Sequence, residues 1–167
     1  MNAITFRHID LAAEQSRTLG LEVLEHAVPY KLYKLAVRGS NAKSAYIRRE
    51  IGLSTDEWKV LLLIGTFSPL STKEVAERST LDKVRVSRTT DRLVRKGLVT
   101  ANRDKNDRRK VELKLTRLGK VKYRGVIDCL RAWDDAFVNV LDRRSLNVLV
   151  KLLQKLDQQI DLLDQRF

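Results

Sequence analysis

Residues 99–116 contain the side chains with the clearest chemical purpose, a run of cations between two short strand patterns. The second pattern, Val111–Leu115, alternates apolar and charged residues, which predicts a strand with one packed face and one solvated face. The segment between the strands holds Asp107, Arg108 and Arg109. Such a basic tip suits insertion into a narrow groove of a polyanion, with Asp107 holding an arginine in one rotamer. The alternative is a solvated hairpin with ordinary surface charges.

A cationic helix is predicted immediately before this hairpin, from Lys83 to Lys96. Asp82 can cap its start and Gly97 can end it in a left-handed conformation. Four residues recur at helical spacing and are expected to pack inward: Val86, Thr90, Leu93 and Val94. Basic side chains and hydroxyls cover the rest, which suits contacts with phosphates and base edges in a major groove. The residues expected to contact DNA are Lys83, Arg85, Ser87, Arg88, Thr89 and Arg92. A surface helix with unremarkable arginines is the alternative.

The elements that position these cations follow from the capping signals upstream. Ser71-Thr-Lys-Glu74 is a capping box, and Leu70 with Val75 can form a hydrophobic staple around it. The predicted order is therefore helix, turn, helix and hairpin.

Charge is concentrated on this same segment. Residues 71–115 hold 14 Lys and Arg against 7 Asp and Glu, a net +7 out of +12 for all 167 residues. This concentration favours a docking face for a polyanion over general solubility. An anionic membrane is disfavoured, because the segment lacks the exposed stripe of Trp, Phe or Leu that interfacial helices use.

The chain resembles the MarR family of winged helix-turn-helix transcriptional regulators. The residues that carry the resemblance are Gly97-Leu-Val99, Arg103-Asp104, Asp107-Arg-Arg109, Leu115-Thr116 and Gly119, with Gly52-Leu-Ser-Thr-Asp-Glu-Trp58 upstream. The pattern extends from near Pro29 to the C-terminus. The resemblance implies that Arg109 enters the minor groove beside Arg108 and that Asp107 orients it. Lys105 stands where the family commonly has a proline.

The predicted fold class is mainly α with a small β-wing. It comprises an N-terminal helical segment at residues 1–50, a winged helix-turn-helix at 51–115 and C-terminal helices at 116–167, and the two outer parts are expected to dimerise. The length, the 43% apolar content and only 2 prolines are typical of one compact protomer. A single cysteine, no signal-peptide pattern and a longest apolar run of only residues 60–64 predict a cytoplasmic protein.

Two narrow apolar stripes predict a partner for the terminal helices. The C-terminal stripe keeps heptad spacing, and its expected dimer contacts are Leu149, Leu153, Leu156, Ile160 and Leu163, flanked by Leu146 and Phe167. A stripe with the same alternation runs from Val28 to Tyr46. The alternative is that each stripe packs on its own protomer. The resemblance implies a homodimer that reads a palindromic operator in double-stranded DNA, with half-sites about 34 Å apart.

A long helix capped by Thr116 and running through Val140 should link the wing to the dimer region. Family members respond to small molecules through movement of such helices. The candidate effector contacts are Tyr33, Tyr46, Arg48, Arg49 and Trp58. Aromatics with an arginine suit an aromatic carboxylate, and an acyl-CoA thioester is a second possibility. Packing in the core is the alternative for the aromatic residues, and a solvated helix end is the alternative for the arginines.

Enzyme chemistry finds little support in the sequence. His8 and His26 lie near the N-terminus without metal-ligand spacing, and no phosphate loop or nucleophile elbow is present, so we expect no cofactor and no metal. Cys129 falls in an apolar pattern typical of a buried, inert thiol rather than a redox sensor. The predicted function is therefore a dimeric transcriptional repressor that is released from its palindromic operator by a small aromatic or acyl-CoA-type effector. Two alternatives stay open: a winged-helix module that binds protein or RNA, and a ligand-independent activator.

Overall fold

The computed structural model describes residues 25–103 and 111–164 of the chain. The described helices and strands, in order, are α1 (Val28–Ile51), α2 (Thr55–Phe67), β1 (Leu70–Ser71), α3 (Thr72–Arg78), α4 (Lys83–Arg95), β2 (Val99–Arg103), β3 (Val111–Leu115), α5 (Arg117–Val138) and α6 (Arg143–Asp164). This order confirms the predicted fold class, mainly helical with a small β-wing. The chain divides into two compact units, with the division inside α1 between Ala45 and Tyr46.

The predicted helix starts are confirmed, because each predicted cap makes its hydrogen bond. The Ser54 and Ser71 side chains form complete capping boxes with Glu57 and Glu74. The Asp82 carboxylate accepts from the backbone N–H of Arg85 at 2.8 Å. These side chains satisfy N–H groups that the first helical turn leaves without partners. The two helix ends differ slightly from prediction: α4 ends one residue before Lys96, and α5 ends two residues before Val140.

The sheet is antiparallel with the strand order β1-β3-β2. In β2 and β3, Val99 pairs with Leu115 and Arg103 with Val111, which confirms the two predicted wing strands. The third strand, β1, places Leu70 opposite Leu113 and was not predicted, since two residues carry no readable alternation. Leu113 is fully buried and Leu115 is partly buried against the core, whereas Val111 is exposed, so the expected apolar face of β3 packs at its centre and its C-terminal end but not at its start.

The core of the larger unit forms around α2. Val60, Leu61 and Ile64 of this helix are completely buried. They belong to one cluster with fully buried side chains from the neighbouring elements: Val75, Val86, Leu93, Leu113 and Val126. Burial of such side chains is the main favourable term in folding. The cluster therefore holds α3, α4, β3 and α5 against α2.

A tight joint connects the end of α4 to the start of α5. Gly97 has φ of +66°, and Leu98 donates its N–H to the Leu93 carbonyl at 3.0 Å, which closes α4 with a Schellman motif. The Thr116 hydroxyl donates to the Gly97 carbonyl at 2.7 Å and accepts from the Gly119 N–H at 2.9 Å. A Cβ on Gly119 would lie 1.9 Å from the Leu98 carbonyl oxygen, so only glycine fits there.

Candidate nucleic-acid interface

The exposed side of α4 carries one continuous stripe of side chains. Four residues at helical spacing, all exposed, form its centre: Val84, Arg88, Asp91 and Arg95. Lys83 and Ser87 are exposed beside them. The opposite side is buried and consists of Val86, Thr89, Thr90 and Leu93. The helix therefore presents a mostly cationic surface to solvent and an apolar surface to α2 and α3.

One predicted contact on this helix is wrong, and so is one predicted core position. Thr89 has no exposed surface, so it cannot contact DNA; its hydroxyl instead accepts from the Arg92 guanidinium at 2.9 Å. Val94, predicted to pack inward, is 37% exposed. The physical reason is that the buried face is rotated toward residues 86, 89, 90 and 93. A threonine can occupy such a face when its hydroxyl finds a partner.

Arg85 is engaged by a carboxylate of α2. One guanidinium nitrogen of Arg85 donates to both carboxylate oxygens of Asp56, at 3.0 and 2.9 Å. More than half of the Arg85 side chain remains exposed, and exposed ion pairs contribute little stability. A phosphate group can therefore reach this arginine, but it must compete with Asp56, whose side chain is only 20% exposed.

The last turn of α4 is held by a second, buried carboxylate of α2. Glu57 is only 4% exposed, and the Lys96 ammonium lies 2.8 Å from its Oε1 and donates to its Oε2 at 2.9 Å. Arg92 lies 3.8 Å from Oε1. Burial alone would raise the pKa of Glu57, but hydrogen bonds from Lys96 and Ser54 and the Lys96 charge together hold it below its ordinary value. Glu57 is therefore a carboxylate that anchors α4, and Arg92 is partly committed to it.

The tip of the wing lies outside the described residues. It includes Asp107, Arg108 and Arg109, which therefore stay predictions. At the base of the wing, Lys114 pairs with Glu112 on the exposed face of β3.

A cation-lined cavity of about 490 Å³ lies beside the base of the wing. Its lining residues come from α2, the segment after it, β3 and α5: Gly65, Ser68, Lys114, Leu115, Lys120, Tyr123 and Arg124. The Tyr123 hydroxyl lies 3.3 Å from that of Thr66. Three cations around a partly apolar cavity can attract an organic anion.

The five predicted effector contacts do not line this cavity. Trp58 is buried in the core, and its Nε1 finds no hydrogen-bond acceptor in the described part of the chain. Tyr46 packs against Trp133, with ring centroids 6.2 Å apart, and the Arg49 guanidinium lies 5.4 Å from the Tyr46 ring centre. Arg48 is exposed, as is Tyr33, which belongs to the other compact unit. Of the five predicted effector contacts, the structure brings Tyr46 and Arg49 together.

Cys129 is buried close to the Tyr46 and Trp133 pair. Burial first, then the charge of Glu50, raises the pKa of its thiol, against a hydrogen bond with Tyr46. The neutral thiol is a poor nucleophile. Among residues 25–103 and 111–164, no cluster of three or more His, Cys, Asp or Glu side chains that could hold a metal ion occurs.

The predicted dimer stripe on α6 faces solvent in the single chain. Its members Leu149, Leu153, Leu156, Ile160 and Leu163 are all exposed by more than a third. No helix in the described part of the chain is long and apolar enough to cross a bilayer.

Sequence reasoning missed three residues that shape this interface. Val84 and Asp91 belong to the exposed stripe, and Asp56 holds Arg85. Projecting α4 onto a helical wheel would have placed Val84 and Asp91 beside Arg88, because they are spaced by four and three residues from it. Asp56 carried no signal, since its contact joins residues 29 positions apart.

The known proteins to which the chain is similar are transcriptional regulators. The MarR family model matches residues 53–111. The HTH-type transcriptional regulator FarR of Neisseria gonorrhoeae is 26% identical over 118 residues, which cover 71% of this chain and 81% of FarR.

Solved structures show the same fold. Wild-type MarR of E. coli in its apo form superposes with a TM-score of 0.68 at 21% identity, covering 78% of this chain and 96% of that one. The YusO protein of Bacillus subtilis gives 0.65 at 23% identity, covering 82% and 96%. With the capped helix pair, the wing strands and the cationic stripe of α4, these matches show that residues 53–111 carry a MarR-family domain and that the chain has the winged helix-turn-helix fold of these DNA-binding transcriptional regulators.

Proposed function

We propose that the protein is a homodimeric repressor that binds a palindromic operator and is released from it by a small anionic effector. The observation that carries the DNA-binding part is the exposed stripe of α4, where the side chains of Lys83, Ser87 and Arg88 are exposed at the start of a firmly capped helix. In helix-turn-helix proteins this end of the recognition helix contacts base edges. Arg88 reads a guanine, Lys83 and Arg85 neutralise phosphates, and Arg109 enters the minor groove beside Arg108, oriented by Asp107.

The homodimer is supported by the apolar surface of α6. Leu156 and Ile160 are 43% and 55% exposed, and their stripe follows the heptad spacing of helices that pack together. Two copies related by a dyad place their recognition helices about 34 Å apart, one DNA turn.

Effector release is supported by the position of the cation-lined cavity. Its lining includes Lys114 of the wing and Lys120 and Arg124 of α5, and the start of α5 is hydrogen-bonded to the end of α4. An anion that binds one arrangement of these elements more tightly shifts the protein toward it. An aromatic carboxylate fits this chemistry, and an acyl-CoA thioester offers the same negative charge on a larger body. Residence in the cytoplasm, where DNA and such metabolites meet, belongs to this proposal.

The test is a binding titration with duplexes from the regulator's own promoter region at several salt concentrations. We expect tight binding, a steep loss of affinity with salt because several phosphates are neutralised, and a two-to-one ratio of protomers to operator. Arg109→Ala should weaken binding without changing the dimer. Absence of binding at low salt would contradict the proposal and favour the protein- or RNA-binding alternative.

The effector part has its own experiment. A thermal-shift screen of aromatic acids and their CoA thioesters should identify compounds that stabilise the protein, and a DNA-release assay should show that they dissociate the operator. Lys120→Ala should reduce the shift. Unchanged operator affinity with every stabilising compound would contradict effector release and favour ligand-independent regulation.

A further inference from the structure

Val84 is an apolar residue in an unusual position. Its side chain is 58% exposed on the first turn of α4, between Lys83 and Arg85. The two residues that fix the buried face of this helix, Val86 and Leu93, are completely buried on the other side. A single exposed valine needs no explanation on an ordinary surface, but this one shares the outward stripe with Arg88.

The spacing of Val84 and Arg88 places both on the surface that meets the bases. Residues four apart on a helix lie on one face, with about 6 Å between them along the axis. Successive base pairs are about 3.4 Å apart. Side chains at these two positions therefore reach bases about two steps apart.

Asp91 limits how much of the helix enters the groove. It is exposed on the next turn of the same stripe and forms no ion pair with any residue that the structure describes. Its carboxylate is repelled by the phosphates that line a groove. Farther along, Lys96 is bound to Glu57 of the same chain. The first two turns of α4 are consequently the part that approaches the bases, and Val84 lies at their start.

We propose that Val84 determines sequence specificity by packing its isopropyl group on the C5 methyl of a thymine, about two base steps from the guanine read by Arg88. The major groove exposes this methyl group, and it distinguishes thymine from the other three bases. The inference rests on the proposed DNA-binding function.

The test removes the methyl group from the DNA and from the protein in turn. Operator duplexes are first selected from a random library with the wild-type protein, and each half-site thymine is then replaced by deoxyuridine. The wild type should lose affinity about fourfold at one position in each half-site, the effect of one buried methyl group. Val84→Ala should bind the thymine duplex several-fold more weakly and should be nearly indifferent to deoxyuridine there. Its salt slope should equal that of the wild type, because no phosphate contact is lost.

Val94→Ala is the matched control, the same substitution at an exposed valine farther along the same helix. It should keep the wild-type affinity and the wild-type deoxyuridine profile. If the wild type binds but no deoxyuridine weakens it, or if Val84→Ala keeps the full methyl dependence, this inference is overturned while DNA binding stands. If the wild type selects no duplex at all, the proposed function fails and this inference fails with it.

Discussion

The arginines of α4 share a residue type but not a role. Arg85 is paired with Asp56, Arg92 hydrogen-bonds Thr89 and lies near Glu57, and Arg88 is exposed with no ion pair to any described residue. A cation already engaged with a carboxylate must exchange that partner before it binds DNA. Arg88 has no such cost, so it should contribute most to base recognition.

Arg88→Ala should therefore weaken operator binding by about 10- to 100-fold and relax the base preference at one position. A fluorescence anisotropy titration on operator variants measures both effects. Arg131→Ala removes an exposed arginine of α5 and is the control, with affinity expected near the wild type. Equal losses on every operator variant would show that Arg88 contacts only phosphate.

The buried carboxylate of Glu57 makes stability depend on pH. Its pKa is lowered from 4.5 in the folded state, so its contribution is complete at neutral pH and is lost as the pH falls below that value. Glu57→Gln should cost about 1–3 kcal/mol of unfolding free energy at pH 7. The difference from the wild type should shrink at pH values below 4.5.

Urea unfolding at several pH values checks this expectation. Glu50→Gln removes the carboxylate of an exposed pair with Arg49 and should change stability little at any pH. A deficit of the Glu57→Gln variant that stays constant from pH 7 to pH 3 would show that the charge of Glu57 is not what stabilises the fold.

At the scale of single elements, the starts of the helices could be predicted from the sequence. Which side chains of α4 are buried could not be predicted in full. Capping boxes act within four residues, so Ser54, Ser71 and Asp82 could be recognised from the sequence alone. The inward turn of Thr89 depends on its hydrogen bond with Arg92 and on the shape of the α2 surface. Residue polarity alone predicts the opposite arrangement, with Val94 buried and Thr89 exposed.

The joint between α4 and α5 gives a prediction at this scale. Gly119→Ala should destabilise the protein by about 1–3 kcal/mol, because the new Cβ collides with the Leu98 backbone, which cannot move without breaking the joint. DNA affinity should fall as well, since α4 is held by this contact.

Gly125→Ala provides the comparison for thermal unfolding. There the nearest atom is the flexible end of the Ile51 side chain, at 2.8 Å, so the cost should be smaller. Equal melting temperatures for Gly119→Ala and the wild type would contradict the predicted collision with the Leu98 backbone.

At the scale of the whole molecule, the exposed apolar stripe of α6 forms the contact of the proposed dimer. Leu156→Asp should convert this proposed dimer to monomers, because a charge in the centre of the stripe cannot be buried without a counterion. Sedimentation velocity measures the change. Gln158→Asp adds the same charge on the opposite side of the helix and should leave the dimer intact. An unchanged sedimentation coefficient of Leu156→Asp would exclude this stripe as the interface.

The sequence predicted the apolar stripes and the winged helix at this scale, but not the location of the cation-lined cavity. Heptad spacing and the alternation of β3 are local patterns. The cavity is formed by residues from four different segments, among them Ser68, Lys114 and Arg124. Their proximity depends on tertiary packing, and their spacing along the chain does not predict it.

The joint at Thr116 has one more consequence, for how such a regulator can change its target. Its hydrogen bonds use backbone carbonyls of Gly97 and Leu98 and a single hydroxyl, and none of the exposed stripe residues of α4 takes part. Substitutions at Val84, Ser87 or Arg88 should therefore leave the hydrogen bonds between the end of α4 and the start of α5 unchanged. Under the proposed mechanism, operator recognition and signal transmission therefore depend on separate residues, so substitutions on the outer face of α4 can change the operator while the proposed response to the effector is kept.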